Sequence, residues 1–221
     1  MPEKSVSLVH VARQPLLSSS QKPPLLALLH GVGSNEDDLM GLAPYLDDRF
    51  LIISLRAPLT IQHGAYGWYE IEWTEDGIKH DEQGAKDGQA AAETAISNLI
   101  DTYDADPKRV YLMGFSQGAI MSLGIALTHP KTIAGAVIMS GRLLPNVAAN
   151  IAATEDLKGL PIMVVHGTLD PVLHIESGRQ INEFLKNTPV DLTYREYAMA
   201  HTVSQESLSD IADWLTAKLD G

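Results

Sequence analysis

An α/β layer architecture, with a mostly parallel central sheet flanked by helices on both faces, is what this chain predicts, and three observations point to it. Apolar runs such as Leu25-Leu26-Ala27-Leu28-Leu29 and Pro161-Ile162-Met163-Val164-Val165 show no polar alternation, as strands buried on both faces do. After an opening strand, strand, helix, strand, the pattern settles into repeated helix–strand alternation. Finally, Gly114-Phe115-Ser116-Gln117-Gly118 joins one apolar run directly to a helix-like stretch.

The elements follow in order. Residues 5–13 read as an edge strand, and Ser18-Ser19-Ser20 with Pro23-Pro24 as a turn too short to separate folding units. A strand at 25–29 precedes a helix expected over 35–46, because Ser34, Asn35 and three acids come before its first apolar residue. Next come a strand at 50–55, a long helix at 83–103, a strand at 109–113 and a helix at 119–127. Buried strands follow at 133–140 and 160–165, then an alternating strand at 190–197 and a helix at 204–219. The gap between 140 and 161 is too short for a cap domain, and nothing divides residues 1–221 into two units.

Composition narrows the functional classes. Apolar residues make up 45% and charged residues 20% of the chain, an ordinary globular balance. A formal net charge of −12 works against nucleic-acid binding and against stable association with anionic membranes. With no cysteine, disulfides, thiolate metal sites and cysteine nucleophiles are excluded. Met1-Pro2-Glu3-Lys4-Ser5 carries no apolar signal core and no stretch approaches a membrane span, so the cytoplasm is the expected location. There is no His-Glu-x-x-His, no phosphate loop and no Gly-x-Gly-x-x-Gly, since Gly31-Val32-Gly33 continues to Glu36.

The chemistry is carried by residues at strand ends. A Gly-x-Ser-x-Gly between strand and helix is a nucleophile elbow, whose sharp turn lifts the Ser116 hydroxyl clear of the sheet. A serine hydroxyl is a poor nucleophile at neutral pH and needs a histidine base oriented by a carboxylate. Asp170, in the loop after 160–165, and His201, just beyond 190–197, occupy the expected chain order at carboxyl ends of strands. An oxyanion needs donors as well, and the amides of Val32 and Gln117 are the candidates. Each assignment has a rival. Ser116 could simply fill a tight turn, and Asp170 could make an Asx turn before Pro171. Asp156 and Asp191 are alternative carboxylates, His174 borders the same loop, and His30 and His166, each before a glycine at a strand end, read as loop-shaping histidines.

With these residues in view, the chain resembles the phospholipase/carboxylesterase family of α/β hydrolases, which includes acyl-protein thioesterase-like enzymes. The likeness spans nearly the whole chain: Leu-His-Gly-Val-Gly at 29–33, Gly-Phe-Ser-Gln-Gly at 114–118, Met-Ser-Gly at 139–141, His-Gly-Thr-Leu-Asp at 166–170 and Tyr-Ala-Met-Ala-His at 197–201. The resemblance implies the α/β-hydrolase fold and a small serine esterase, without metal or cofactor, acting on carboxylic esters, thioesters or lysophospholipids. Two departures stand out. The family usually follows its aspartate with a Val-Val-Pro-like run where this chain has Pro171-Val172-Leu173-His174, and precedes its histidine with glycine where this chain has Ala200.

Substrate cover is expected in residues 60–83, where Tyr66, Trp68, Tyr69 and Trp73 gather among Glu70, Glu72, Glu75 and Asp76. Two readings stand open: an aromatic flap lining an acyl groove, or a hairpin whose aromatics pack on the core. Trp68, Tyr69, Leu143 and Val172 are the candidate substrate contacts. A homodimer is compatible with the sequence. Alternatives to an esterase are a non-catalytic or slow-turnover small-molecule receptor on the same scaffold, and a serine acyltransferase or peptidase.

Overall fold

The computed structural model describes residues 8–17, 20–74 and 77–220, without the side chains of residues 73–80. Part of the expected first strand (5–7), Ser18, Ser19, Glu75 and Asp76 therefore lie outside the described residues, as does the Trp73 side chain. The central sheet has seven strands: β1 (His10–Arg13), β2 (Leu25–Leu29), β3 (Leu51–Leu55), β8 (Val110–Phe115), β9 (Gly135–Met139), β10 (Pro161–Gly167) and β11 (Asp191–Tyr197). Their spatial order is β1-β3-β2-β8-β9-β10-β11. Among the described residues of this sheet, the β1–β3 pair is antiparallel and the other pairings are parallel.

Alternate residues of the five inner strands feed two separate cores. Leu25, Ala27 and Leu29 join one with Leu112, Ile138 and Val164, beneath α1 (Glu82–Thr102), α2 (Gln117–Thr128) and α5 (Ile175–Lys186). Leu26 and Leu28 join the other with Met113, Val137 and Val165, beneath α6 (Gln205–Asp220) and a 3-10 helix at Leu39–Tyr45. This double burial accounts for the unbroken apolar runs: both side-chain directions leave water. The helix α5 is not among the elements read from the sequence. Two four-residue helices, α3 (Pro145–Ala148) and α4 (Thr154–Leu157), occupy the stretch between β9 and β10, and no cap is built there.

The expected helix at 35–46 is replaced by turns and the 3-10 helix Leu39–Tyr45. Two local causes act. Asn35 Oδ1 accepts the Asp37 N–H at 2.9 Å, closing a turn in place of a helical cap. Pro44 inside the segment has no N–H for an α-helical bond. Residues 60–83 contain two hairpins, β4 (Leu59–Gln62) with β5 (Ala65–Gly67) and β6 (Ile71–Thr74) with β7 (Gly77–His80), followed by the start of α1. Among the described residues, no helix is long and apolar enough to cross a membrane.

Candidate active site

Ser116 stands between the last residue of β8 and the first of α2, with φ 53° and ψ −115°. A positive φ on a β-substituted residue is strained backbone, and two glycines make the turn feasible. A Cβ at Gly114 would lie 2.2 Å from the Gly118 carbonyl oxygen, and one at Gly118 would lie 1.9 Å from the Leu29 carbonyl oxygen. Only hydrogen fits at either position, so α2 packs directly on the ends of β2 and β8. The Ser116 N–H is held by the Met139 carbonyl of β9 at 2.9 Å.

The chain then delivers two partners from later strand ends. His201 follows β11, and its Nε2 lies 2.9 Å from Ser116 Oγ. Its Nδ1 lies 2.7 Å from Asp170 Oδ2, in the loop after β10. With Nδ1–H donating to the carboxylate, Nε2 is the acceptor for the serine hydroxyl, the arrangement a general base requires. Asp170 is buried, and its other oxygen accepts the N–H groups of Val172 and Leu173, each at 2.9 Å. Burial alone would raise this carboxyl's pKa; the hydrogen bonds from His201, Val172 and Leu173 outweigh it and hold the group below the usual carboxylate range. Phe115 packs against the His201 ring with centroids 4.8 Å apart.

The rival carboxylates fall elsewhere. Asp156 pairs with Lys131 at 2.9 Å and Asp191 with Lys218 at 2.7 Å. His174 is exposed ahead of α5. His166 is buried, its Nε2 donating to the Leu173 carbonyl at 2.7 Å, which braces the loop that carries Asp170.

Val32 lies in the loop after β2, and Gln117 opens α2. Gly31 brings that loop against the elbow: its Cβ position would lie 3.3 Å from Ser116 Cβ. The N–H groups of Val32 and Gln117 have no acceptor among the described residues, and the second sits at a helix start, where the backbone favours negative charge. The Gln117 side chain is structural: its Oε1 accepts the Trp68 N–H at 2.7 Å and its Nε2 donates to the Tyr69 carbonyl at 2.8 Å.

A family model described as Phospholipase/Carboxylesterase matches residues 16–219. The chain belongs to the phospholipase/carboxylesterase family. Similar proteins include a probable carboxylesterase SOBER1-like of Arabidopsis thaliana, 34% identical over 52% of this chain and 44% of the relative. The chain thus spans less than half of that plant protein's length. Acyl-protein thioesterase 1 of Neurospora crassa is 32% identical over 73% of this chain and 70% of its own. The crystal structure of esterase PE8 superposes with a TM-score of 0.82 at 23% identity, over 95% of this chain and 98% of that one. That likeness speaks for the α/β-hydrolase fold.

Against this phospholipase/carboxylesterase scaffold, two expected substrate contacts need correction. Trp68 and Tyr69 are each 2% exposed and belong to the main core. Trp68 Nε1 donates to the His30 carbonyl at 2.9 Å, so its one polar atom is committed inside the protein. Of the two readings of the aromatic segment, core packing holds for Trp68 and Tyr69. Leu143 is half-buried against the core, while Val172 is exposed beside Asp170. Two apolar residues missed in the sequence join the exposed surface here: Leu169, next to Asp170, and Ile61. Ile61 Cδ1, Gln117 Oε1 and Val32 Cγ2 all converge on Gly67, within 3.4 Å of its Cβ position. A β-branched residue two positions from the hairpin tip was the available signal for Ile61.

Proposed function

We propose that the protein is a serine hydrolase that cleaves carboxylic esters or thioesters through an acyl-enzyme, with Ser116 as nucleophile, His201 as general base and acid, and Asp170 as its orienting carboxylate. His201 takes the Ser116 proton as the oxygen attacks the acyl carbonyl, and Asp170 stabilises the imidazolium that forms. The oxyanion accepts hydrogen bonds from the Val32 and Gln117 amides. Collapse breaks the bond to the alcohol or thiol, which leaves with the proton from His201. Water, deprotonated by the same histidine, then attacks the acyl-serine, and its collapse returns the proton to Ser116 and frees the acid. Every proton transfer runs through side chains of this chain.

The single observation that carries this reading is the unbroken hydrogen-bonded series from Asp170 through His201 to a strained Ser116. The exposed apolar side chains of Ile61, Leu169 and Val172 favour substrates with an aliphatic acyl part. The test is to measure turnover on a series of acyl esters and acyl-thioesters of increasing chain length, with Ser116→Ala as control. Hydrolysis that drops by several orders of magnitude in the variant supports the reading; undiminished hydrolysis in Ser116→Ala refutes it.

A further inference from the structure

His30 follows β2 directly and is fully buried, yet it takes no part in the Ser116–His201–Asp170 series. Both of its ring nitrogens are committed. Nε2 lies 3.0 Å from the backbone N–H of Ala57, which can only donate, so Nε2 carries no proton. The proton of the neutral ring therefore sits on Nδ1, which donates to the Gly31 carbonyl at 2.7 Å. Burial lowers the pKa of this histidine, in keeping with a neutral ring. The backbone on its other side is fixed as well, since Trp68 Nε1 donates to the His30 carbonyl at 2.9 Å.

The consequence lies in the next peptide. The described residues contain no cis peptide bond, so the C=O of Gly31 and the N–H of Val32 share one plane and point in opposite directions. A carbonyl turned inward to the His30 ring turns the Val32 N–H the other way, out of the core. Two further bonds hold the far side of this loop: the Gly33 N–H donates to the Tyr66 carbonyl and the Tyr66 N–H to the Ser34 carbonyl, both at 2.8 Å. The Gly31 carbonyl also accepts the Ser34 N–H, at 3.2 Å, so two donors hold the Gly31–Val32 peptide, and the imidazole, at 2.7 Å, is the closer of them.

We propose that His30 is a positioning residue for the oxyanion: its Nδ1–H holds the Gly31–Val32 peptide so that the Val32 amide is presented to the tetrahedral intermediate. This rests on the serine-hydrolase reading above. Preorganisation is the point, because a donor already aimed at the oxyanion spends nothing on reorientation during the reaction.

Two conservative variants separate the two ring functions. In His30→Asn the side-chain amide N–H stands where Nδ1 was and preserves the bond to Gly31. In His30→Gln the side-chain oxygen stands near Nε2 and preserves the bond from Ala57 while losing the donor to Gly31. With the full chain and an aryl ester, kcat in His30→Gln should fall roughly 10²-fold, the scale of losing one oxyanion donor. His30→Asn should recover at least about tenfold of that, with KM unchanged in both. The pH–rate profile should keep its parental shape, because His201 and Asp170 are untouched, and affinity for an aryl boronic acid, which forms a tetrahedral serine adduct, should fall in step with kcat. Equal losses in both variants that follow their loss of melting temperature would mean a merely structural role and overturn the proposal. Should the variants fail to fold, nitrogen-15 spectra of histidine-labelled wild-type protein still decide: a protonated Nδ1 on His30 supports it, and a protonated Nε2 overturns it. If wild type and Ser116→Ala hydrolyse the ester alike, the serine-hydrolase reading fails and takes this proposal with it. If Ser116→Ala is inactive while His30→Gln retains parental kcat, the role of His30 alone is wrong.

Discussion

Adding one methyl group at Gly118 should damage both the fold and the chemistry. The new Cβ would lie 1.9 Å from the Leu29 carbonyl oxygen, 2.4 Å from the Leu29 carbonyl carbon and 2.7 Å from the His30 carbonyl oxygen. All three are backbone atoms, so no rotamer change relieves the overlap, and reaching an ordinary contact of 3.4 Å needs about 1.5 Å of separation between α2 and the end of β2. Overpacking costs typically about 1–3 kcal/mol, and a backbone collision belongs at the upper end. With unfolding entropy near 2.1 cal/mol/K per residue, a chain of 221 residues loses roughly one degree of Tm per half kcal/mol, so Gly118→Ala should melt about 6 °C lower. Because the movement separates Ser116 from the loop carrying Val32, and about an ångström of misplacement costs on the order of 10²-fold, kcat should fall by at least that factor. The control is Gly41→Ala, where a Cβ meets nothing within 4 Å. Thermal melts and aryl-ester turnover of both variants provide the comparison; a Gly118→Ala protein that melts and turns over like Gly41→Ala would refute the close-packed elbow.

Three further outcomes are expected. Asp170→Asn can keep accepting the Val172 and Leu173 N–H groups through its oxygen, but it presents an amide N–H to His201 and forces the imidazole into the wrong tautomer; kcat should drop on the order of 10⁴-fold with the fold intact, and retained turnover would refute the role of Asp170. Trp68→Ala should cost about 3–5 kcal/mol of stability in chemical denaturation, as a core truncation does, without changing acyl-length preference; a shifted acyl profile at unchanged stability would return Trp68 to the substrate site. Stability should decline as pH falls below the ordinary histidine value of 6.5, because His30 and His166 are held neutral by burial in the folded state while the unfolded chain takes up their protons. The stabilisation is full above that value and is lost as pH falls below it toward the lowered folded-state values; urea unfolding at about pH 7, 6 and 5 that gave a flat profile would contradict this.

How far the sequence could be read follows from which signals are local. The parallel sheet was legible because burial on both faces leaves an apolar run such as Leu25–Leu29, in which odd and even residues serve different cores. The meeting of Ser116, Asp170 and His201 was legible from chain order, since parallel strands bring their carboxyl ends to one rim. Asp191, at the opposite end of β11, illustrates the converse. The segment at 35–46 misled because acids before an apolar stretch look like a helix start, whereas the Asn35 turn and Pro44 decide the backbone. Trp68 and Tyr69 misled for a different reason: hairpin aromatics carry no sign of which face meets the core, and the acceptor that fixes Trp68 is the carbonyl of His30, far away in sequence. The roles of His30 and His166 depend on which carbonyl each ring meets, and only the folded loops determine that.

Covalent capture is the most direct measurement of the central claim. Intact-mass analysis after exposure to a fluorophosphonate or to a slowly deacylating aryl ester, followed by peptide mapping, should find a single adduct on Ser116, absent in Ser116→Ala and formed far more slowly in His201→Ala. Continued ester hydrolysis with no adduct at Ser116, or an adduct on another residue that abolishes activity, would contradict it.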